Sequence, residues 1–178
     1  MNLHIPGVLT VEGTATQSVP LVLDSPHSGT VYPEDFGHAA DPTLLRHAED
    51  THVHDLWSGA VPAGAVLLHA HFPRSYVDAN RAPDDMDPSA LSGPYPDPLN
   101  PSVKSTLGIG LCSTRVPPGS DPLYTRPLPP AEAHSPVTRH HPPSQSQLPP
   151  RLAAPPARLS PVWPVTLPSI ARGPFRFS

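Results

Sequence analysis

Apolar positions in the first half of the chain fall into two short runs with a periodic stretch between them. Val19-Pro20-Leu21-Val22-Leu23 is followed at once by Asp24, Ser25, Pro26, His27, Ser28 and Gly29, the pattern of a buried strand that stops in a turn. Ala65 to Ala70 forms the second run, and a short Tyr76-Val77-Asp78 segment follows it. Between the runs, "DPTLLRHAEDTHVHDLWSGAV" carries Leu44, Leu45, Ala48, His52, Leu56 and Trp57 at steps of three and four, so the spacing predicts one helix with an apolar stripe. Asp41 is its expected N-cap, Pro42 its first helical residue and Gly59 its stop. Two strands joined through a helix make a βαβ unit and favour a parallel sheet. Residues 1–18 mix small and polar types and are expected to form an extended arm or an edge strand. "SVKSTLGIGL" remains open as strand or loop.

Composition changes the picture for the other end. Proline reaches 30 of 178 residues, with 14 of them in the 52 residues from Pro127 onward, often in pairs. A proline in a helix interior costs about 3 kcal/mol, so no helix is expected there. Few apolar clusters remain to offset the ordering entropy, and a disordered or polyproline-like tail is the expectation. The chain is therefore divided into residues 1–126, an α/β domain part, and residues 127–178, a Pro-rich tail.

Net charge is −4 and thinly spread, which leaves no nucleic-acid footprint. The single cysteine, Cys112, excludes an internal disulfide and a Cys-rich zinc site, and fits a reducing compartment. No apolar run approaches the roughly 18 residues of a membrane span, and no signal-peptide pattern opens the chain. A soluble cytoplasmic protein with no membrane or nucleic-acid partner is expected, its oligomeric state open.

Three segments carry candidate chemistry. His27 in "SPHSG" stands at the carboxyl end of a strand, where open α/β sheets bind ligands, although a turn histidine can equally serve only its neighbours. "RHAEDTHVH" crowds His47, Glu49, Asp50, His52 and His54. On a helix, His47 and Asp50, Glu49 and His52, and Asp50 and His54 would share faces, either as ligand pairs for a borderline cation or as a solvated polar surface. In "FPRSYVDANRAPDDMD", Arg74 and Arg81 bracket the segment and Asn80 adjoins Arg81. A guanidinium beside an amide suits capture of a carboxylate, but Asp84, Asp85 and Asp87 could pair with the arginines instead.

In series, "LVLDSPHSGTVYPEDF", "LLRHAEDTHVHDLW" and "GAVLLHAHFPRSYVDANRAPDDMD", with "LGIGL" and "DPLYTRPLPPAE" less firmly, resemble the N-formylglutamate amidohydrolase family over residues 18–126. The resemblance implies a partial zinc-carboxypeptidase-like fold: a mixed, mainly parallel sheet with flanking helices. It implies zinc-dependent hydrolysis of N-formyl-L-glutamate to formate and L-glutamate in histidine degradation. His27 and one carboxylate of Glu49-Asp50, preferably Asp50, would hold metal. Asn80 and Arg81, with Arg74 helping, would hold the carboxylate of a small N-acyl amino acid.

The chemistry is consistent, since formamide hydrolysis needs an activated water, a polarised carbonyl and a base. Two alternatives stand beside it: a deacylase of another N-acyl amino acid, and a non-catalytic fragment whose Pro-rich tail serves interactions.

The later landmarks differ. "HPPSQSQL" and "VWPVTLPSI" stand where the family has a "PYH"-like segment and a His-Ser strand end for the third ligand, and Pro168-Ser169 occupies that last position. The C-terminal third keeps the spacing but carries Pro, Ser, Arg and Ala, the bias of a frame change in a GC-rich coding sequence. The expectation is a truncated or frameshifted family member, catalytically impaired, with its third ligand and catalytic base unassigned.

Overall fold

The apolar runs become the middle of a sheet. In the computed structural model, which describes residues 2–14, 17–116, 121–153 and 163–166, the strands are β1 (Leu3–Ile5), β2 (Leu9–Glu12), β3 (Leu21–Ser25), β4 (Val66–Ala70) and β5 (Trp163–Thr166). Their spatial order is β1-β2-β4-β3-β5. β1 pairs with β2 and β2 with β4 antiparallel, whereas β3 runs parallel to both β4 and β5. The expected parallel βαβ unit is therefore present as β3 and β4, and the expected edge strand as β1. The sheet as a whole is evenly mixed among its described strands rather than mainly parallel. The reason is that the N-terminal arm folds into a hairpin and adds two antiparallel pairings.

The pleat separates two faces. Leu9, Val11, Val22, Val66 and Leu68 form one apolar cluster, all 2% exposed or less. On the other face, register places His4, Thr10 and His69 in a row across β1, β2 and β4. A second and larger core gathers Phe36, Leu45, Phe72, Tyr76, Met86 and Leu111 from the segments that follow the strands.

The helix expected over residues 41–61 is two short ones, α1 (Pro42–His47) and α2 (Val53–Ser58). Its ends are as expected: the Asp41 carboxylate accepts from the Thr43 N–H at 2.7 Å, Pro42 opens the first turn, and Gly59 follows the last. Its middle is not, because His52 adopts a left-handed conformation at φ 68°. The apolar stripe was weaker than its spacing suggested. Leu45 is fully buried, but Leu44 and Leu56 are exposed, so packing does not hold one continuous helix against the core.

After β4, Tyr76 closes a turn and Val77-Asp78 are irregular rather than a strand, and residues 103–106 form a one-turn helix, α3 (Val103–Thr106), capped by the Ser102 hydroxyl. The expectation of a structureless tail from Pro127 is overturned over two stretches. α4 runs from Pro130 to Ala153, and β5 follows it.

Prolines at 136, 142, 143, 149 and 150 lie inside that helix and remove backbone donors. Tertiary contacts offset the loss. Ala133, Val137, His140, His141 and Ser144 are buried along one face, and the His140 ring meets Phe72 and Tyr76 edge-on at 4.9 and 5.2 Å. Arg139 pairs with Asp35, and the His141 Nε2 lies 2.8 Å from the Arg81 carbonyl.

A helix held by packing against its own backbone preference should open first. Amide exchange in α4 is expected to be at least about tenfold faster than in β3 and β4. Equal protection measured by mass spectrometry would contradict this account.

Candidate active site

The turn after β3 is built to lie flat against the end of β4. The Ser25 hydroxyl donates to the Ser28 hydroxyl at 2.8 Å, and the Val31 N–H donates to the His71 carbonyl at 2.8 Å. Gly29 is required by this approach, since a Cβ there would stand 2.2 Å from the Phe72 carbonyl oxygen. The turn carries His27 inward, leaving it 2% exposed.

Both ring nitrogens of His27 face carboxylates. Nδ1 lies 3.3 Å from Asp50 Oδ2, and Nε2 lies 2.7 Å from Asp78 Oδ1. Burial alone would lower the His27 pKa, but the hydrogen bonds to Asp50 and Asp78 and the Asp78 charge outweigh it, so the pKa is raised. Burial likewise works against an ionised Asp78, and the bond from His27, the charges of His27 and Arg74 and the Asn80 N–H reverse that. Asp78 stays well below the usual carboxylate range.

The break between α1 and α2 selects Asp50 over Glu49. The Asp50 N–H donates to the His27 carbonyl at 3.1 Å, which delivers the Asp50 side chain beside the ring. Glu49 points elsewhere: its side chain is fully buried, receives Arg46 Nη1 at 2.8 Å, and bonds the Tyr32 hydroxyl. The rest of "RHAEDTHVH" also disperses. His52 pairs with Asp55 at 2.8 Å, and the His54 ring stacks on His69 at 4.7 Å. The shared helix faces expected for His47, Asp50, His52 and His54 do not form, because the backbone turns at His52.

Asp78, which sequence reasoning passed over, is the hub of the next segment. Arg74 Nη2 donates to its Oδ2 at 2.8 Å, Arg81 Nε lies 3.7 Å from the same oxygen, and the Asn80 N–H donates to Oδ1 at 2.9 Å. The signal was available: a carboxylate four residues after one arginine and three before another. Arg74 is thus occupied by a buried carboxylate that needs a counter-charge. The Asn80 side chain is exposed. Arg81 Nε is buried without a hydrogen-bond partner. Of the acidic run, Asp85 comes within 3.8 Å of Arg81 Nη1, while Asp87 caps a 3-10 turn through the Ser89 N–H.

Whether His27 and Asp50 suit a zinc ion can be judged from their separation. Two donors about 2.0–2.1 Å from a tetrahedral zinc lie about 3.3–3.4 Å apart, and the observed separation is 3.3 Å. Asp78 holds the other ring nitrogen, the arrangement usual for a metal-ligating histidine. Among the described residues no third His, Cys, Asp or Glu joins them. Pro168-Ser169, where a third ligand was expected from the family pattern, lies outside the described residues.

Asp24 is a second residue that the sequence did not mark. It is 7% exposed, its Oδ1 has no hydrogen-bond partner, and burial, partly offset by His27, raises its pKa to about 6. Ionisation is thus disfavoured in the fold, and the penalty grows as pH rises from about 4 through 6. Asp24→Asn is expected to stabilise the chain by about 1–3 kcal/mol at pH 8 and to leave it nearly unchanged at pH 4. Denaturant melts at the two pH values test this, and an equal effect at both would remove the explanation.

The profile of the N-formylglutamate amidohydrolase family matches residues 19–177. An N-formylglutamate deformylase from Pseudomonas aeruginosa is 38% identical over 88 residues, covering 46% of this chain and 32% of the relative. The crystal structure of an N-formylglutamate amidohydrolase from Ralstonia eutropha JMP134 superimposes with a TM-score of 0.77 at 43% identity, over 83% of this chain and 52% of that one. The chain spans about a third of the curated relative and about half of the solved one.

Proposed function

Because the chain belongs to the N-formylglutamate amidohydrolase family, we propose that His27 and Asp50 are half of a zinc site for hydrolysing N-formyl-L-glutamate to formate and L-glutamate, impaired in this chain. The observation that carries this reading is the placement of His27 between Asp50 and Asp78 with a donor separation that suits zinc. The chemistry a zinc ion supplies when bound is a water acidified to a pKa of about 7 and a polarised formyl oxygen.

The chain's own residues do the rest. Asp78 accepts a hydrogen bond from His27 Nε2–H and fixes the ring; Nδ1, now hydrogen-bonded to Asp50, would give up that proton to serve as a ligand when metal binds. Arg74 braces Asp78. Arg81, whose guanidinium lies 3.7 Å from Asp78 and 3.8 Å from Asp85, and Asn80, with an exposed amide, would serve a substrate carboxylate. The finer architectural reading, a partial carboxypeptidase-like sheet, is supported by three parallel neighbours, β4-β3-β5, with His27 just past the carboxyl end of the middle strand. Among the described residues no helix is long and apolar enough to cross a membrane, and the lone cysteine supports a reducing compartment.

Impairment follows from the count of donors. Among the described residues one carboxylate and one imidazole would hold zinc, and weakly, and no further base stands with them for the leaving amine. Formate release from N-formylglutamate, measured on the purified chain with added zinc, is expected to stay near background. Thermal shift should still report substrate binding, and Arg81→Lys should weaken that binding at least about tenfold, because a planar fork is lost. Robust zinc-dependent turnover would refute impairment. Binding unaffected by Arg81→Lys would refute the substrate assignment.

A further inference from the structure

The polar face of the sheet carries a histidine cluster that the proposed reaction does not use. Register sets His4, Thr10 and His69 side by side on β1, β2 and β4, and His71 lies two residues beyond His69 on the same face. Alternation along a strand puts His69 and His71 on one side, as a His-x-His pair. His54 of α2 stacks on His69, and Glu12 Oε1 stands 3.6 Å from His69 Nε2. None of the hydrogen bonds or ion pairs described for these rings involves His27, Asp50 or Asp78.

Two of the ring nitrogens already aim at one point. His4 Nδ1 lies 2.9 Å and His71 Nε2 lies 2.8 Å from the same Thr10 hydroxyl oxygen. The ring centroids are 5.0 Å apart for His4 and His71, and 5.7 Å for His69 and His71. Two imidazoles on one tetrahedral ion with metal–nitrogen bonds of about 2.0–2.1 Å would have centroids about 5.2 Å apart. The planes are tilted by 41° and 54°, so these are not stacking contacts. The His4 side of the cluster is open to solvent, which supplies an entry path.

We propose that this face is a second metal site, taking a borderline divalent cation of the nickel, copper or zinc class, with His4 and His71 as its first ligands and His69 as the third. Imidazole nitrogen without thiolate selects that class over calcium or magnesium. In the described rotamers no three donors converge. Binding therefore requires the two rings to exchange the Thr10 hydroxyl for the ion, and His69 to rotate about its side chain. Glu12 balances charge on the same face. The site is independent of the hydrolase reading, since it shares no residue with it.

The test is a nickel titration of the full chain by calorimetry at neutral pH, carried out in a His27→Ala background so that the other site cannot contribute. One equivalent of nickel is expected to bind. His4→Ala, on an exposed edge strand where folding is little affected, and His71→Gln should each lower the affinity at least about tenfold. His134→Ala, at a histidine far along the chain on α4, should leave it unchanged. Loss of all binding in the His27→Ala background would overturn the proposal. So would a change of less than about threefold in both cluster variants, which marks adventitious surface binding.

Discussion

Asp78→Ala is expected to destabilise the chain by about 3–5 kcal/mol, enough to leave much of it unfolded. The residue is 2% exposed, and its carboxylate accepts from His27, Arg74 and the Asn80 N–H, with Arg81 Nε 3.7 Å away as a charge partner. Removing it takes from the buried His27 ring and the part-buried Arg74 and Arg81 guanidinium groups the carboxylate they share. Among their described acidic partners, His27 then keeps only Asp50 at 3.3 Å and Arg81 only the more distant Asp85 at 3.8 Å. Asp78→Asn keeps the shape and one acceptor but not the charge, so its cost should be smaller, and it should lower the His27 pKa.

The pH dependence has a definite sign. His27 has a raised pKa, so its contribution is present below its unfolded value of 6.5 and is lost as pH rises through the raised value. Asp78 has a lowered pKa, so its contribution is present above the usual carboxylate value and is lost as pH falls through the lowered one. The pair is therefore most stabilising between those limits, from mildly acidic to near-neutral pH. Urea melts of the three proteins across that range, with His27 followed by NMR, test both statements. A loss below about 1 kcal/mol for Asp78→Ala would show that the hub is ornamental.

The second large effect is a gain. Pro168→His is expected to raise zinc affinity at least about tenfold and to bring formate release above background. β5 runs parallel to β3, with Thr166 beside Asp24, so the two strands carry their carboxyl ends to the same edge of the sheet. Residue 168 follows Thr166 by two positions, a reach of about 7 Å at most, and His27 follows Asp24 by three. Pro168 itself lies outside the described residues; under the proposed half-site, a histidine there is expected to supply a third donor to His27 and Asp50. Calorimetry with zinc and a formate assay read the two outcomes. Unchanged affinity, in a protein where His27→Ala still lowers it, would remove the half-site interpretation.

Much of this was legible from local pattern, and particular residues show where legibility ended. The apolar runs around Val22 and Leu67 became the parallel pair, because a continuous apolar stretch of that length has few ways to leave water except as a buried strand. Asp41-Pro42 capped a helix because both signals act within one turn. The turn "SPHSG" carried its histidine to a strand end for the same local reason.

The helix across 41–61 was misread at its centre, where the stripe at Leu44 and Leu56 lacked anything to pack against and the backbone turned at His52. The Pro-rich segment was misread in the other direction. α4 exists because Ala133, Val137 and His140 are covered by the core, a contribution no propensity scale contains.

By itself, then, the sequence determined the two central strands, the first helix cap, the family and the position of His27 at a strand end, since each depends on neighbours within a few residues. Only the tertiary structure decided that Asp50 rather than Glu49 faces His27. Only it made Asp78, 51 positions away, the partner of the other ring nitrogen, and gathered three histidines on one sheet face with His54 of α2 stacked against them. A buried charge is stable only where an opposite charge arrives by a different route through the fold, and that meeting is fixed by packing, not by spacing along the chain.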